Sequence, residues 1–167
     1  MSAPEFVYTV YIAAPAERVW NALVDGDVTR KYWGHENRSD WQPGSRWEHV
    51  RIGPDGVVDI AGKVIEVDPP HRLVQTFRAL WNDDVKLEGE SRVTWEIEPV
   101  GDSCLLRVTH DQLQAGANAQ LYGGWPMILS GLKTWLETGE TLTTPGSLRY
   151  VKSPASAVEG RVHGSRS

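Results

Sequence analysis

Between residues 46 and 110 the chain reads as strand after strand with only turns between them, and one apolar stripe of helical period follows. That succession constrains the fold more than any other feature. Residues 46–52 alternate polar and apolar types, and Gly-Pro-Asp-Gly at 53–56 reverses the chain. Residues 57–67 form a long strand with Gly62 inside it, the mark of a bend or bulge. Asp68-Pro69-Pro70 breaks that run, residues 72–79 resume it, and residues 82–90 are a polar, acidic loop. Residues 91–99 and 103–110 flank a tight Val100-Gly101-Asp102 hairpin. Links this short leave no room for crossovers, so these five strands pair as an antiparallel meander.

Two further regions complete the pattern. Residues 5–12, Glu-Phe-Val-Tyr-Thr-Val-Tyr-Ile, are β-branched and aromatic and form a first strand. Pro15 then suits the first turn of a helix carrying Val19, Trp20 and Leu23, which stops at Asp25-Gly26-Asp27. Asp27 caps a second short helix through Arg30, Lys31, Tyr32 and Trp33, ended by Gly34. At the far end, Leu121, Trp125, Ile128, Leu132 and Trp135/Leu136 fall at steps of three and four. Pro126 requires that this helix either start there or kink there. The fold class is therefore α+β: a six-stranded antiparallel sheet, two short helices after its first strand, and a long C-terminal helix covering one face. Residues 1–138 make the domain, and residues 139–167, rich in Ser, Thr, Gly and Pro without apolar period, make a disordered tail.

Composition narrows the function. An excess of 22 acidic over 17 basic residues argues against nucleic-acid binding. No apolar run reaches the roughly 18 residues of a membrane span. The start of the chain has no charged and apolar leader, so the cytoplasm is the expected compartment. Cys104 is the lone cysteine, and the histidines lack ligand spacing, so neither a metal nor another cofactor is expected. Cys104 is assigned to the strand face opposite His110, which leaves it no base for nucleophilic chemistry.

Several segments together resemble a known group. They are Tyr-Ile-Ala-Ala-Pro-Ala-Glu-Arg-Val-Trp (11–20), Tyr-Trp-Gly (32–34), Trp-Gln-Pro-Gly (41–44) and Val-Asp-Pro-Pro-His-Arg-Leu (67–73). Ser-Arg-Val-Thr-Trp-Glu-Ile-Glu-Pro-Val-Gly (91–101), Val-Thr-His (108–110) and Gly-Gly-Trp-Pro (123–126) complete the set. The chain resembles the START-like, helix-grip superfamily (SRPBCC), and within it the Aha1-like branch named for the activator of Hsp90 ATPase. The resemblance implies a sheet curled around the C-terminal helix with a cavity between them. Members share that cavity rather than one reaction.

Eight tryptophans against two phenylalanines suit such a cavity. Strand alternation puts Trp47 and His49 on one face with Arg51, Trp95 with Val93 and Ile97, and His110 with Leu106 and Val108. With Tyr32, Trp33, Trp125 and Trp135 these make the expected ligand-binding set, His49 and His110 being its polar points. The expected function is the binding of a small hydrophobic molecule, lipid-like or aromatic and polyketide-like, by a monomer or homodimer. A cyclase or hydratase using His110, His49 or Tyr32 as acid–base groups is the alternative, and a chaperone (Hsp90) cofactor is the third reading. Residues 32–41 and Gly123-Gly124 are expected to form a movable rim over the cavity.

Overall fold

A computed structural model describes residues 4–147. β1 (Phe6–Ile12) leads into α1 (Ala16–Val24) and α2 (Gly26–Trp33). Six strands follow: β2 (His35–Ser39), β3 (Arg46–Arg51), β4 (Val58–Asp68), β5 (Arg72–Ala79), β6 (Glu90–Val100) and β7 (Ser103–Asp111). One turn, α3 (Asp83–Lys86), interrupts the expected loop before β6, and α4 (Trp125–Thr138) closes the order. The sheet runs β1-β7-β6-β5-β4-β3-β2, antiparallel throughout.

The sheet thus has seven strands, not six. The additional strand is β2, His-Glu-Asn-Arg-Ser, which contains no β-branched or aromatic residue. Its pairing with β3 overrides that poor propensity. Within the expected rim, His35–Ser39 forms this paired edge strand. β1 and β2 lie at opposite edges, so α1 and α2 must carry the chain across one face of the sheet. α4 joins them there, touching β1, α1 and α2.

Helix ends follow local chemistry. Asp25, two residues earlier than the expected Asp27, caps α2 by accepting from the Asp27 N–H at 2.9 Å. α4 begins at Trp125 with Pro126 in its first turn, so the proline starts the helix and does not kink it. Gly139 ends it in the left-handed conformation, φ 77°. Trp125, Leu129, Leu132 and Leu136 are the buried stripe of α4, packed among Val93, Ile97, Leu106 and Val108 in one core.

Gly62 has a specific use. The Trp47 indole of β3 reaches across β4 and donates its N–H to the Thr76 carbonyl of β5 at 2.7 Å. A Cβ at Gly62 would lie 2.7 Å from that indole nitrogen and 2.2 Å from the Thr76 oxygen. Only glycine leaves the passage open.

Residues 139–147 follow α4, with Gly146 against the Met127 side chain; the remainder of the expected tail, 148–167, lies outside the described residues. Cys104 and His110 lie on the same buried face of β7, not opposite faces. Six residues of strand separate them by about 20 Å, so no Cys–His pair forms.

Candidate functional site

The register of β2 against β3 builds a polar wall. His35 lies opposite Arg51, and Asn37 opposite His49, so alternation puts all four on one face. β4 supplies the fifth member through a bulge. His49 pairs with Ile60 and Val50 with Val58, which leaves Asp59 as the extra residue. The bulge brings the carboxylate of Asp59, a residue only 5% exposed, to the same cluster. Arg51 grips it twice, Nε to Oδ2 at 3.0 Å and Nη2 to Oδ1 at 2.7 Å. His35 Nε2 meets Oδ2 at 2.7 Å. Burial pushes the Asp59 carboxyl up, but the hydrogen bonds and charges of Arg51 and His35 outweigh it and hold the group below its ordinary range.

His49 sits deeper. Its ring stacks on His35 at 4.1 Å, and its Nδ1 is 2.5 Å from Asn37 Oδ1. Burial first, then the electrostatic influence of His35, hold it well below the usual histidine range. At neutral pH this imidazole is uncharged.

Opposite the polar wall stands an aromatic one. Trp33 ends α2, Phe77 comes from β5, Trp81 from the loop after β5, and Trp125 opens α4. The Trp33 ring lies 4.6 Å from His49 and 5.9 Å from Trp125, edge to face. Between the walls is a cavity of about 390 Å³, floored by Ile60, Leu121 and Ile128. Gln120 closes one side, its Oε1 accepting from the Trp81 indole at 3.2 Å and from Asn82 Nδ2 at 2.9 Å.

Of the eight expected residues, Trp33, His49 and Trp125 line this cavity. Tyr32 does not: it borders a smaller space of about 210 Å³ between α2, α4 and residues 141–147. Its hydroxyl donates to the Ala22 carbonyl at 2.7 Å, and burial pushes the phenol far up. Trp47 is spent on the Thr76 carbonyl. Trp95 stands behind the wall, 5.4 Å from Trp125, and donates to Gln75 Oε1 at 3.0 Å. Trp135 lies away from the cavity under the Lys31 ammonium, 4.9 Å from the ring centre.

His110 also stands behind the wall, fully buried at the centre of a hydrogen-bond chain. The Trp125 indole donates to Nδ1 at 3.2 Å, so that nitrogen is an acceptor and Nε2 carries the hydrogen. Nε2 then donates to Ser91 Oγ at 2.8 Å, and Ser91 donates to the Phe77 carbonyl at 3.2 Å. Burial pulls His110 down to about 4, against a small opposing pull from Asp111. Both ring nitrogens are thus engaged in the frame.

Sequence reasoning missed His35, Asp59, Trp81 and Gln120. One signal was available for Asp59: an acidic residue between Val58 and Ile60 in a strand, where aspartate is disfavoured. Among the described residues no three His, Cys, Asp or Glu side chains are placed to hold a metal ion, and no helix is long and apolar enough to cross a membrane.

Comparison with known proteins places the chain in context. The model of the family "Activator of Hsp90 ATPase homolog 1-like protein" matches residues 13–137. No curated protein matches the sequence. Among solved structures, CalU16 from Micromonospora echinospora is 21% identical over 81% of this chain and 75% of its own, with a TM-score of 0.65. The Aha1 dimer from Colwellia psychrerythraea is 20% identical over 81% of this chain and 98% of its own, also at 0.65. An HSP90 activator from Plasmodium falciparum is 24% identical over 79% and 95%, at 0.62. At such identities the likeness is one of fold.

Proposed function

The chain belongs to the activator of Hsp90 ATPase homolog 1-like family, and we propose that within it this protein is a receptor or carrier for one small, predominantly apolar molecule. The observation that carries the reading is the cavity of about 390 Å³ between the sheet and α4, walled by Trp33, Phe77, Trp81 and Trp125. Its size and its mix of aromatic wall with few polar groups are those of small-molecule sites, typically ~300–1,000 Å³. Of the three acid–base groups an enzyme of cyclase or hydratase type would draw on, Tyr32 and His110 make their hydrogen bonds outside the cavity. That favours binding over catalysis.

The test is a fluorescence titration with N-phenyl-1-naphthylamine, an apolar probe that brightens when it leaves water. The parent should bind it at a single site. Ile128→Trp, which adds volume to the cavity floor, should abolish binding while the protein stays folded. A parent that binds no probe contradicts the reading.

A second reading, an Hsp90 cofactor, is carried by the family's description and by the Plasmodium neighbour's being called an HSP90 activator. It predicts that the added chain stimulates the ATPase of an Hsp90, and that Ile128→Trp leaves this stimulation intact.

A further inference from the structure

We propose that His49 selects what the cavity holds: its Nε2 accepts a hydrogen bond from a hydroxyl or N–H group carried on an apolar, ring-bearing molecule. This rests on the cavity reading above and adds the chemistry of the ligand to it.

Asn37 Nδ2 donates to the Leu23 carbonyl at 3.2 Å, which fixes the orientation of the amide. The atom facing His49 Nδ1 at 2.5 Å is therefore the amide oxygen, which can only accept. Nδ1 must carry the hydrogen of the ring. In an uncharged imidazole the other nitrogen is then a bare acceptor. Among the described residues Nε2 has no hydrogen-bond partner, yet His49 lines the cavity. The neighbouring polar groups differ in this respect: Asp59 is held by Arg51 and His35, and His35 Nδ1 faces the Trp33 carbonyl at 3.1 Å.

Nε2 is not among the sealed polar atoms of the interior; it opens onto the cavity, and an apolar occupant that displaces water there must supply a donor or leave the acceptor unpaired. The rings of Trp33, Phe77 and Trp125 that line the same cavity favour a flat aromatic body carrying that donor. Asn37 is thus a positioning residue. It presents the correct tautomer, and His49 makes the contact.

The experiment compares two probes that differ by one hydrogen-bond donor: 2-naphthol and 2-methoxynaphthalene, titrated into the full chain by calorimetry. The ether is the more apolar, so burial alone ranks it first. The expected result is that 2-naphthol binds about tenfold tighter, the size of one neutral hydrogen bond in a buried site, and that His49→Phe removes the preference. Equal binding of both probes, or a preference for the ether, overturns the role of His49 while leaving the cavity reading standing. A preference that survives His49→Phe overturns it also. Absence of binding by either probe overturns the cavity reading and this inference with it.

A second measurement needs no variant. In the parent, the 15N resonance of His49 Nε2 should lie where an unprotonated ring nitrogen is found, and shift upfield on adding 2-naphthol but not 2-methoxynaphthalene. A protonated Nε2 in the free protein, or no shift with 2-naphthol bound, contradicts the inference.

Discussion

Replacing Trp125 with phenylalanine removes the indole N–H together with the outer part of the indole, because the phenyl ring takes the place of the five-membered ring at the start of α4. That N–H is the donor to His110 Nδ1. His110 is fully buried, and its other nitrogen is occupied by Ser91. Nδ1 would be left with no donor from the protein. A buried acceptor stripped of its partner costs about 1–3 kcal/mol, and the volume lost from the indole opens toward an existing cavity and adds little. The expected destabilisation is about 2 kcal/mol, or roughly 4–8 °C in unfolding midpoint for a chain of this length. Urea unfolding gives the free energy directly. A double-mutant cycle with His110→Phe isolates the pair, since in that background Trp125→Phe should cost at least about 1 kcal/mol less. A loss below about 0.5 kcal/mol in the single variant, or an identical loss in both backgrounds, would refute the hydrogen-bond chain.

Three further outcomes follow from the same geometry. His110 titrates at about 4 in the folded protein against an ordinary 6.5, so its contribution is complete above pH 6.5 and lost as pH falls toward 4. At pH 4 that loss amounts to about 3 kcal/mol, and urea unfolding from pH 7 to 4 should show a drop smaller by about that amount in His110→Gln than in the parent, His49 adding its own loss to both. Gly62→Ala places a methyl 2.2 Å from the Thr76 oxygen and should cost about 3 kcal/mol, read as a fall in thermal midpoint with the Trp47 fluorescence environment altered. Asp59→Asn leaves Arg51 and His35 without their shared counter-charge; because the Arg51 side chain is half exposed and can rehydrate, the expected cost is about 2 kcal/mol rather than the larger loss of a fully buried pair.

The fold was largely legible because its signals are local. Turn residues at 53–56 and 100–102 mark hairpins without reference to anything distant, and Trp125, Leu132 and Leu136 are buried as the helical period foretold, with Leu129 taking the place expected of Ile128. β2 was not legible, because His-Glu-Asn-Arg-Ser becomes a strand only through the β3 edge beside it. The site was legible only in part. Alternation put His49 on the inner face, but Asp59 reaches the cluster through a bulge, and a bulge depends on how two strands are registered. Alternation also grouped Trp47 and Trp95 with the cavity, since it reports which face a side chain takes and not what that side chain then touches. The Trp47 indole runs sideways over Gly62 to a carbonyl two strands away, and Trp95 turns to Gln75. Trp135 has the correct helical step yet faces α2, where Lys31 covers it.

The account's central claim is that a small apolar molecule occupies the space between the polar wall of β2, β3 and β4 and the aromatic wall opposite. The most direct measurement is the set of intermolecular NOEs between bound N-phenyl-1-naphthylamine and the assigned protein. The account predicts contacts from the probe rings to Phe77, Ile128 and Trp125 together, and none to Trp135. Contacts confined to exposed residues such as Tyr11 or Leu87, with the cavity side chains unperturbed, would contradict it.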